Sequence, residues 1–248
     1  MVSAGSAAQS SPCEYRPPVA SVPDSFPTMS YGPRRGSDPD LPLGIGHLGW
    51  TNGSAEWYRY LVMPVFGEPG ASPNAWFVRG WLVRSDNGVE PFDFNGLVET
   101  GYEIPSAIVF ERRDDGWMRL RFSDDESGHA WAHECAFSQD STTLAFESWA
   151  DRFGSGNTSA LFFRRPVRHA LREGPNAAAR LLHWIPADSD DYHLEVIETR
   201  DEWMRVRVVQ PSDNCRSPED AQSVRTEGWI RWYDQEVGPW LWYHTRGC

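Results

Sequence analysis

Two stretches of this chain nearly repeat each other: FERRDDGWMRLRF at residues 110–122 and IETRDEWMRVRV at residues 197–208. In each stretch an acidic turn leads into Trp-Met-Arg, and apolar residues then alternate with arginines. Alternation with a period of two is typical of a β-strand that has one face on a core and the other in water. A second tryptophan-centred stretch follows each copy, GHAWAH at residues 128–133 and EGWIRW at residues 227–232. The sequence therefore predicts a duplicated small β-module.

The remaining sequence predicts an all-β protein, because short apolar runs are separated by turn residues at intervals of about eight to twelve positions. Residues 142–153 predict a strand that runs into a short helical turn, and residues 175–182 predict a single helical turn with Asn176 as a possible N-cap. Residues 1–44 contain eight prolines, which predicts an extended arm. We expect three parts: a Pro/Ser-rich arm at 1–44, a first module at 45–154 and a second module at 155–248.

The composition limits the possible partners and reactions. The formal net charge is −12, with 35 acidic residues against 23 basic ones, and every basic residue is an arginine. This balance argues against binding to nucleic acid or to an anionic membrane, which need a basic face. The absence of lysine excludes Schiff-base chemistry and a P-loop lysine. No apolar run is long enough to span a membrane, and the Ser/Ala-rich start resembles that of a mature exported protein, so we expect a periplasmic or extracellular location.

The repeated motifs resemble those of bacterial SH3-like (SH3b) domains. Asp115-Gly116-Trp117-Met-Arg-Leu and Gly228-Trp229-Ile are similar to the two tryptophan signatures of that family, and MPVF at 63–66 and RPV at 165–167 resemble its opening strand. Trp131 departs from the pattern because His-Ala precedes it, and each module carries long insertions. The resemblance covers roughly residues 60 to 245. It implies two small SH3-like β-barrel modules that bind a cell-wall or peptide ligand without catalysis.

The same resemblance predicts where a ligand lies. In such modules the groove is edged by the tryptophan after the acidic turn, together with neighbouring acids. An aromatic plane beside a carboxylate suits an amine-bearing or arginine-rich peptide. Aromatic residues near the C-terminus would extend this surface, although core or intermodule packing is the favoured explanation for them. The predicted ligand-binding residues are Asp114, Asp115 and Trp117 in the first module, Asp201, Glu202 and Trp203 in the second, and Trp232, Trp240 and Trp242.

Catalytic and metal sites are weakly indicated. His129 and His133 share one face of a predicted strand, but zinc needs three or four ligands, so outward polar positions explain them better and we expect no metal. Cys135 near His133 suggests a thiol nucleophile, yet no segment remains for a catalytic domain. No hydrolase, phosphate-loop or metalloprotease motif occurs. We therefore predict that the protein is not an enzyme and has no cofactor.

Four cysteines in an exported chain predict two disulfides. Cys215 lies in a polar insertion and Cys248 is the last residue, so we predict a Cys215–Cys248 bridge that ties down the C-terminal strand. Cys13–Cys135 would then fix the arm across the first module. A lipidated or free Cys13 is the alternative.

These features together predict a non-catalytic envelope or secreted protein. Its partner would be a peptide, a peptidoglycan fragment or another protein, held by aromatic surfaces. The alternatives are an inhibitor or immunity-type protein that caps a basic toxin or enzyme, for which a charge of −12 is suited, and an accessory protein of a cell-wall hydrolase. The sequence leaves the oligomeric state open.

Overall fold

The computed structural model describes residues 11–18, 22–27, 33–86, 88–122, 128–139, 142–154, 161–165, 167–186, 192–210 and 223–243. β-Strands predominate in these ranges, which confirms the all-β prediction, and they are joined by hydrogen bonds into open sheets. No described helix is long and apolar enough to cross a membrane.

The first half of the chain ends in a short helix. Its strands are β1 (Arg34–Arg35), β2 (Gly46–Asn52), β3 (Val62–Val65), β4 (Ala75–Val78), β5 (Trp81–Arg84), β6 (Val89–Pro91), β7 (Leu97–Gly101), β8 (Ile104–Arg112), β9 (Trp117–Arg121), β10 (His129–His133), β11 (Ser138–Gln139) and β12 (Thr142–Ser148). The helix α1 (Trp149–Gly154) follows β12 directly, which confirms the predicted strand and helical turn. Single 3₁₀ turns lie at Trp57–Arg59, Phe94–Gly96 and Glu134–Ala136.

The second half consists of further strands. They are β13 (Phe162–Phe163), β14 (His169–Arg172), β15 (Leu181–Ile185), β16 (His193–Arg200), β17 (Trp203–Gln210), β18 (Ser223–Arg231), β19 (Tyr233–Asp234), β20 (Gly238–Pro239) and β21 (Leu241–Trp242). The helical turn predicted at 175–182 is not formed, because the chain makes tight turns there and Leu181 already pairs with Arg172 across β14 and β15.

The strands of the two repeats pair in the same register. In β9 and β10 Trp131 lies opposite Arg119, two residues after Trp117. In β17 and β18 Trp229 lies opposite Arg205, two residues after Trp203. The strand before each tryptophan also has a register shift at the matching position, between residues 109 and 111 in β8 and between residues 196 and 198 in β16. The internal repeat is therefore present in the strand pairing.

The order of the strands repeats as well. In the second copy the order is β15-β14-β18-β17-β16. In the first copy Phe66 exchanges two backbone hydrogen bonds with Trp131, at 2.9 and 2.8 Å, which gives the matching order β4-β3-β10-β9-β8. Because Arg172 lies opposite Trp229 as Phe66 lies opposite Trp131, the structural counterpart of Met63–Phe66 is His169–Arg172. Residues 165–167, which resemble the opening strand in sequence, precede it.

Additional strands extend the first copy. β5 and β6 continue the sheet from β4, and β8 also pairs with β7 and β2. Strand β12 then pairs with β2. The helix α1 follows β12 and packs against the second copy. These additions account for the insertions of the first module.

One hydrophobic core crosses the boundary predicted at 154/155. Trp149 and Phe153 of α1 are fully buried against residues of the second copy, among them Met204 and Trp242. Residues 41–43, the end of the predicted arm, belong to the same core, and the Trp149 indole N–H donates to the Leu43 carbonyl at 2.7 Å. The last part of the arm is therefore built into the fold.

The predicted Cys13–Cys135 disulfide is present, with a Cα–Cα distance of 6.0 Å. It fixes the described residues 11–18 to the end of β10. Cys215 and Cys248, the other predicted pair, lie outside the described residues.

Candidate ligand-binding cavity

A cavity of about 650 Å³ lies where α1 meets the second copy. Four segments line it: the start of α1, the loop between β14 and β15, the hairpin turn between β16 and β17, and the chain after β18. Ile45 completes the lining. The lining residues are Ile45, Ser148, Trp149, Ala150, Pro175, Asn176, Ala177, Asp201, Glu202, Trp203, Trp232, Tyr233 and Gln235.

The hairpin turn places two acids at this cavity. Asp201 adopts φ +50°, a left-handed conformation that aspartate tolerates better than most residues. The Asp201 carbonyl accepts the Trp232 indole N–H at 3.0 Å, and the Glu202 carbonyl accepts the Trp232 backbone N–H at 3.0 Å. The turn is therefore held to the chain that follows β18, and two hydrogen bonds fix Trp232 at the turn.

The two cavity tryptophans contributed by the repeat are mostly covered. Trp203 is 8% exposed and Trp232 is 2% exposed. Both line the cavity, so only a small part of each ring is accessible to a ligand.

The loop between β14 and β15 forms the opposite wall. The Arg180 guanidinium donates two hydrogen bonds to the Glu173 carboxylate, at 3.0 and 3.1 Å, and lowers the pKa of that carboxyl. Arg172 also donates to the Ala179 carbonyl at 2.8 Å. These contacts close the loop and place Pro175, Asn176 and Ala177 at the cavity.

The polar groups of the cavity suit recognition. Glu202 is half-buried and lies 3.6 Å from Arg231, while Asp201 is exposed. Burial raises the pKa of Tyr233, so its phenol stays neutral and donates to the Gly44 carbonyl at 3.3 Å. The Ser148 hydroxyl donates a hydrogen bond to the Asp151 carboxylate at 2.6 Å and accepts one from the Asp151 backbone N–H at 3.0 Å. It thus closes the first turn of α1 and is not aligned as a nucleophile.

The corresponding region of the first copy is covered by the chain itself. Trp117 packs edge-on against Phe66, with ring centroids 4.8 Å apart, and both belong to a small cluster with Trp131 and Tyr15. A cavity of only about 270 Å³ remains, lined by Ser11, Pro12, Tyr15, Phe66, Gly70, Ala71, Trp117 and His133. Asp114 and Asp115 are exposed at the turn beside it, with Asp115 3.5 Å from Arg113.

The other predicted site residues are dispersed. Trp242 is buried in the core against Trp149, and Trp240 packs under the Arg231 guanidinium, 5.5 Å from its ring centroid. Neither lines the large cavity. His129 and His133 occupy opposite ends of β10, roughly 13 Å apart along the strand, so they do not meet at one point.

Cys135 is not a free thiol. Its sulfur is bonded to Cys13 and lies 3.0 Å from the His133 Nδ1, whose other ring nitrogen is 2.9 Å from the Asp115 carbonyl. Donor atoms of these three residues, Cys13, His133 and Cys135, all lie within 4.8 Å of one another. With both sulfurs committed to the disulfide, the nucleophile considered from the sequence is not available.

A buried polar network lies beside α1, away from the cavity. The His47 Nε2 is 3.0 Å from a Glu147 oxygen, and Glu147 is 3.5 Å from Arg152. Burial lowers the pKa of His47, and burial raises the pKa of Tyr243 to about 12. Arg152 and Tyr243 both donate to the Thr100 carbonyl, at 2.7 and 2.8 Å. These contacts join β2, β7, α1 and the end of the chain, which is a structural role.

Sequence reasoning missed two walls of the cavity, the start of α1 and the loop residues 175–177. One available signal was composition: EPGA at 68–71 and EGPNA at 173–177 are both Gly/Pro-rich and both follow the opening strand of a copy. No motif marks Ser148–Ala150 as a wall of the same site.

No protein-family model matches the chain, and neither a curated protein nor a solved structure is significantly similar to it. The functional proposal therefore rests on the geometry of the cavity.

Proposed function

We propose that this chain is a non-catalytic binding protein made of two SH3-like modules, and that the large cavity holds a cationic segment of a peptide or protein partner. One observation carries the proposal. A cavity of about 650 Å³ combines tryptophan walls with two consecutive carboxylates, Asp201 and Glu202.

The repeated strand order supports the two modules. In each copy the order of strands, counted along the chain, is 2-1-5-4-3. This is the order of a five-stranded cyclic meander that is opened between its second and third strands, as expected for an SH3-like barrel with an open seam. The additional strands of the first copy lie at that seam.

Charge and aromatic surface together favour an arginine or lysine side chain. The Asp201 and Glu202 carboxylates would pair with such a cation, and the apolar walls would cover the aliphatic part of its side chain. The net charge of −12 would speed the approach of a basic partner at low ionic strength. The same charge favours the second candidate function, an inhibitor or immunity-type protein that caps a basic toxin or enzyme.

An exported setting is consistent with the disulfide. The Cys13–Cys135 bridge joins residues that are 122 positions apart in the sequence. Structural disulfides of this kind persist in oxidising compartments. We accordingly place the protein in the cell envelope or outside the cell, with a peptide, a peptidoglycan fragment or a protein as its partner.

The test is binding of an arginine-rich peptide to the Glu202→Gln variant. We expect an affinity loss of about 1.4- to 5-fold, the range that corresponds to about 0.2–1 kcal/mol for a partly exposed ion pair, and weaker binding as salt rises. Titration calorimetry with purified protein measures both effects.

The matched control is Glu198→Gln. Glu198 also pairs with one arginine, Arg205 at 3.8 Å, but it is exposed on β16 and does not line the cavity. Its affinity should equal that of the wild type. Equal losses in the two variants, or no binding of arginine- and lysine-rich peptides at all, would refute the proposal.

A further inference from the structure

The two copies carry grooves at equivalent places in the repeat, although Ile45 and the start of α1 line only the second. In the second copy the loop residues 175–177, Trp203 and Trp232 line the large cavity. In the first copy the matching loop residues Gly70 and Ala71, together with Trp117 and His133, line the small one.

Backbone contacts confirm that the grooves correspond. The Glu202 carbonyl accepts the backbone N–H of Trp232, and the Gly116 carbonyl accepts that of Glu134, both at 3.0 Å. Trp203 lies opposite Arg231 as Trp117 lies opposite His133. The turn, the tryptophan and the strand end therefore occupy equivalent places in each copy.

The first groove already contains a polypeptide segment. Ser11, Pro12 and Tyr15 of the arm line what remains of it. The Tyr15 ring meets Phe66 edge-on with centroids 5.8 Å apart and joins the cluster of Phe66, Trp117 and Trp131. The Cys13–Cys135 disulfide, between the proline and the tyrosine, holds this segment in place.

We infer that the second groove binds, from a partner, the kind of segment that the arm supplies to the first: a β-turn with a proline at its second position and, three residues after that proline, an aromatic side chain. This inference rests on the proposed function and adds the ligand class to it. The second cavity has more than twice the volume of the first, and no described residue of 11–18 lines it.

The chemistry of the second groove fits such a segment. A proline at the second position of a turn fixes its φ angle before binding, so such a segment loses little conformational entropy when it docks against aromatic walls. Trp203, Trp232 and Tyr233 supply those walls. In the arm Arg16 directly follows Tyr15, and the Asp201 and Glu202 carboxylates at the second cavity would attract a basic residue of a partner segment.

The probe is an eight-residue peptide, SPSEYRPP, which is residues 11–18 with serine in place of Cys13. It is titrated into the full-length, oxidised protein, in which the disulfide keeps the first groove filled. We expect saturable binding of one peptide per chain. We also expect a loss of about tenfold when alanine replaces the peptide tyrosine, because an edge-to-face aromatic contact and its buried area are removed.

Two neighbouring alanines locate the bound peptide. Ala177 lines the second cavity, whereas Ala178 is exposed on the same loop and does not. Ala177→Trp should block binding at least tenfold, and Ala178→Trp should leave it unchanged. Binding that survives Ala177→Trp would place the peptide elsewhere and overturn the inference.

The peptide series separates this inference from the proposed function. If the tyrosine-to-alanine peptide binds as well as SPSEYRPP but an arginine-to-alanine peptide does not, the cation is recognised and the proline–aromatic class is wrong. If arginine-rich peptides and SPSEYRPP all fail to bind, both proposals are refuted. If the tyrosine replacement and the arginine replacement each weaken peptide binding, both the proposed function and this inference are supported.

Discussion

Single buried side chains couple the stability of this fold to pH. His169 is 5% exposed and stacks face to face on Phe163, with ring centroids 3.6 Å apart. Burial lowers its pKa to about 4, whereas an unfolded chain binds the proton near pH 6.5. The unfolded state therefore takes up the proton first as pH falls, so this stabilisation is complete above about pH 6.5 and is lost towards pH 4. We expect His169 to remove about 3 kcal/mol of unfolding free energy over that interval. His169→Phe should be less sensitive to the same change, as urea titrations at pH 7 and pH 4 would show. Parallel losses in the wild type and the variant would mean that other groups control the acid response.

At the scale of elements, the two hairpin turns reach the same geometry with different residues. The turn between β8 and β9 is one residue longer than the turn between β16 and β17, and it ends in Gly116 at φ +87°. A Cβ added at Gly116 would lie 2.9 Å from the Glu134 side chain. The second turn uses Asp201 at φ +50° and needs no glycine. Gly116→Ala should cost about 1–3 kcal/mol, since it adds both a strained backbone and a close contact. Gly67→Ala is the control, because its Cβ would meet only the Asn74 side chain at 3.8 Å, and it should change stability by about 0.5 kcal/mol or less. Denaturant unfolding compares the two. A Gly116→Ala protein as stable as Gly67→Ala would show that the turn relaxes without strain.

At the scale of the whole molecule, a shared core and one disulfide join distant parts of the chain. The core that contains Trp149 and Phe153 also contains residues of the second copy and of the arm, so the two copies stabilise each other. The disulfide closes a loop of 122 residues in sequence separation, and its loss should cost up to about 4–5 kcal/mol in the chain-entropy account. We expect reductant to lower the unfolding free energy of the wild type. The Cys13→Ser/Cys135→Ser double variant should start lower and respond much less, which separates this bridge from any effect of Cys215 and Cys248. A wild type that is insensitive to reductant would contradict the expectation.

The strands and their repeat could be predicted from sequence because they depend on local rules. A period-two pattern determines which face of a strand is buried, and the matching Trp-Met-Arg segments determined two matching registers. The Cys13–Cys135 pairing was predicted because four cysteines in an exported chain favour two bridges, and the second predicted bridge, Cys215–Cys248, lies outside the described residues.

The cavity and the state of each groove were decided only by tertiary structure. Ser148–Ala150 and Pro175–Ala177 carry no local signal of a shared site; they meet Asp201 and Glu202 because α1 packs its buried tryptophan and phenylalanine into the core of the second copy. Trp117 and Trp203 are equivalent in sequence and in register, yet one lies under Tyr15 and the other faces an open cavity. Long-range closure by the disulfide decides that difference, because it holds one arm where only one of two equivalent grooves can receive it.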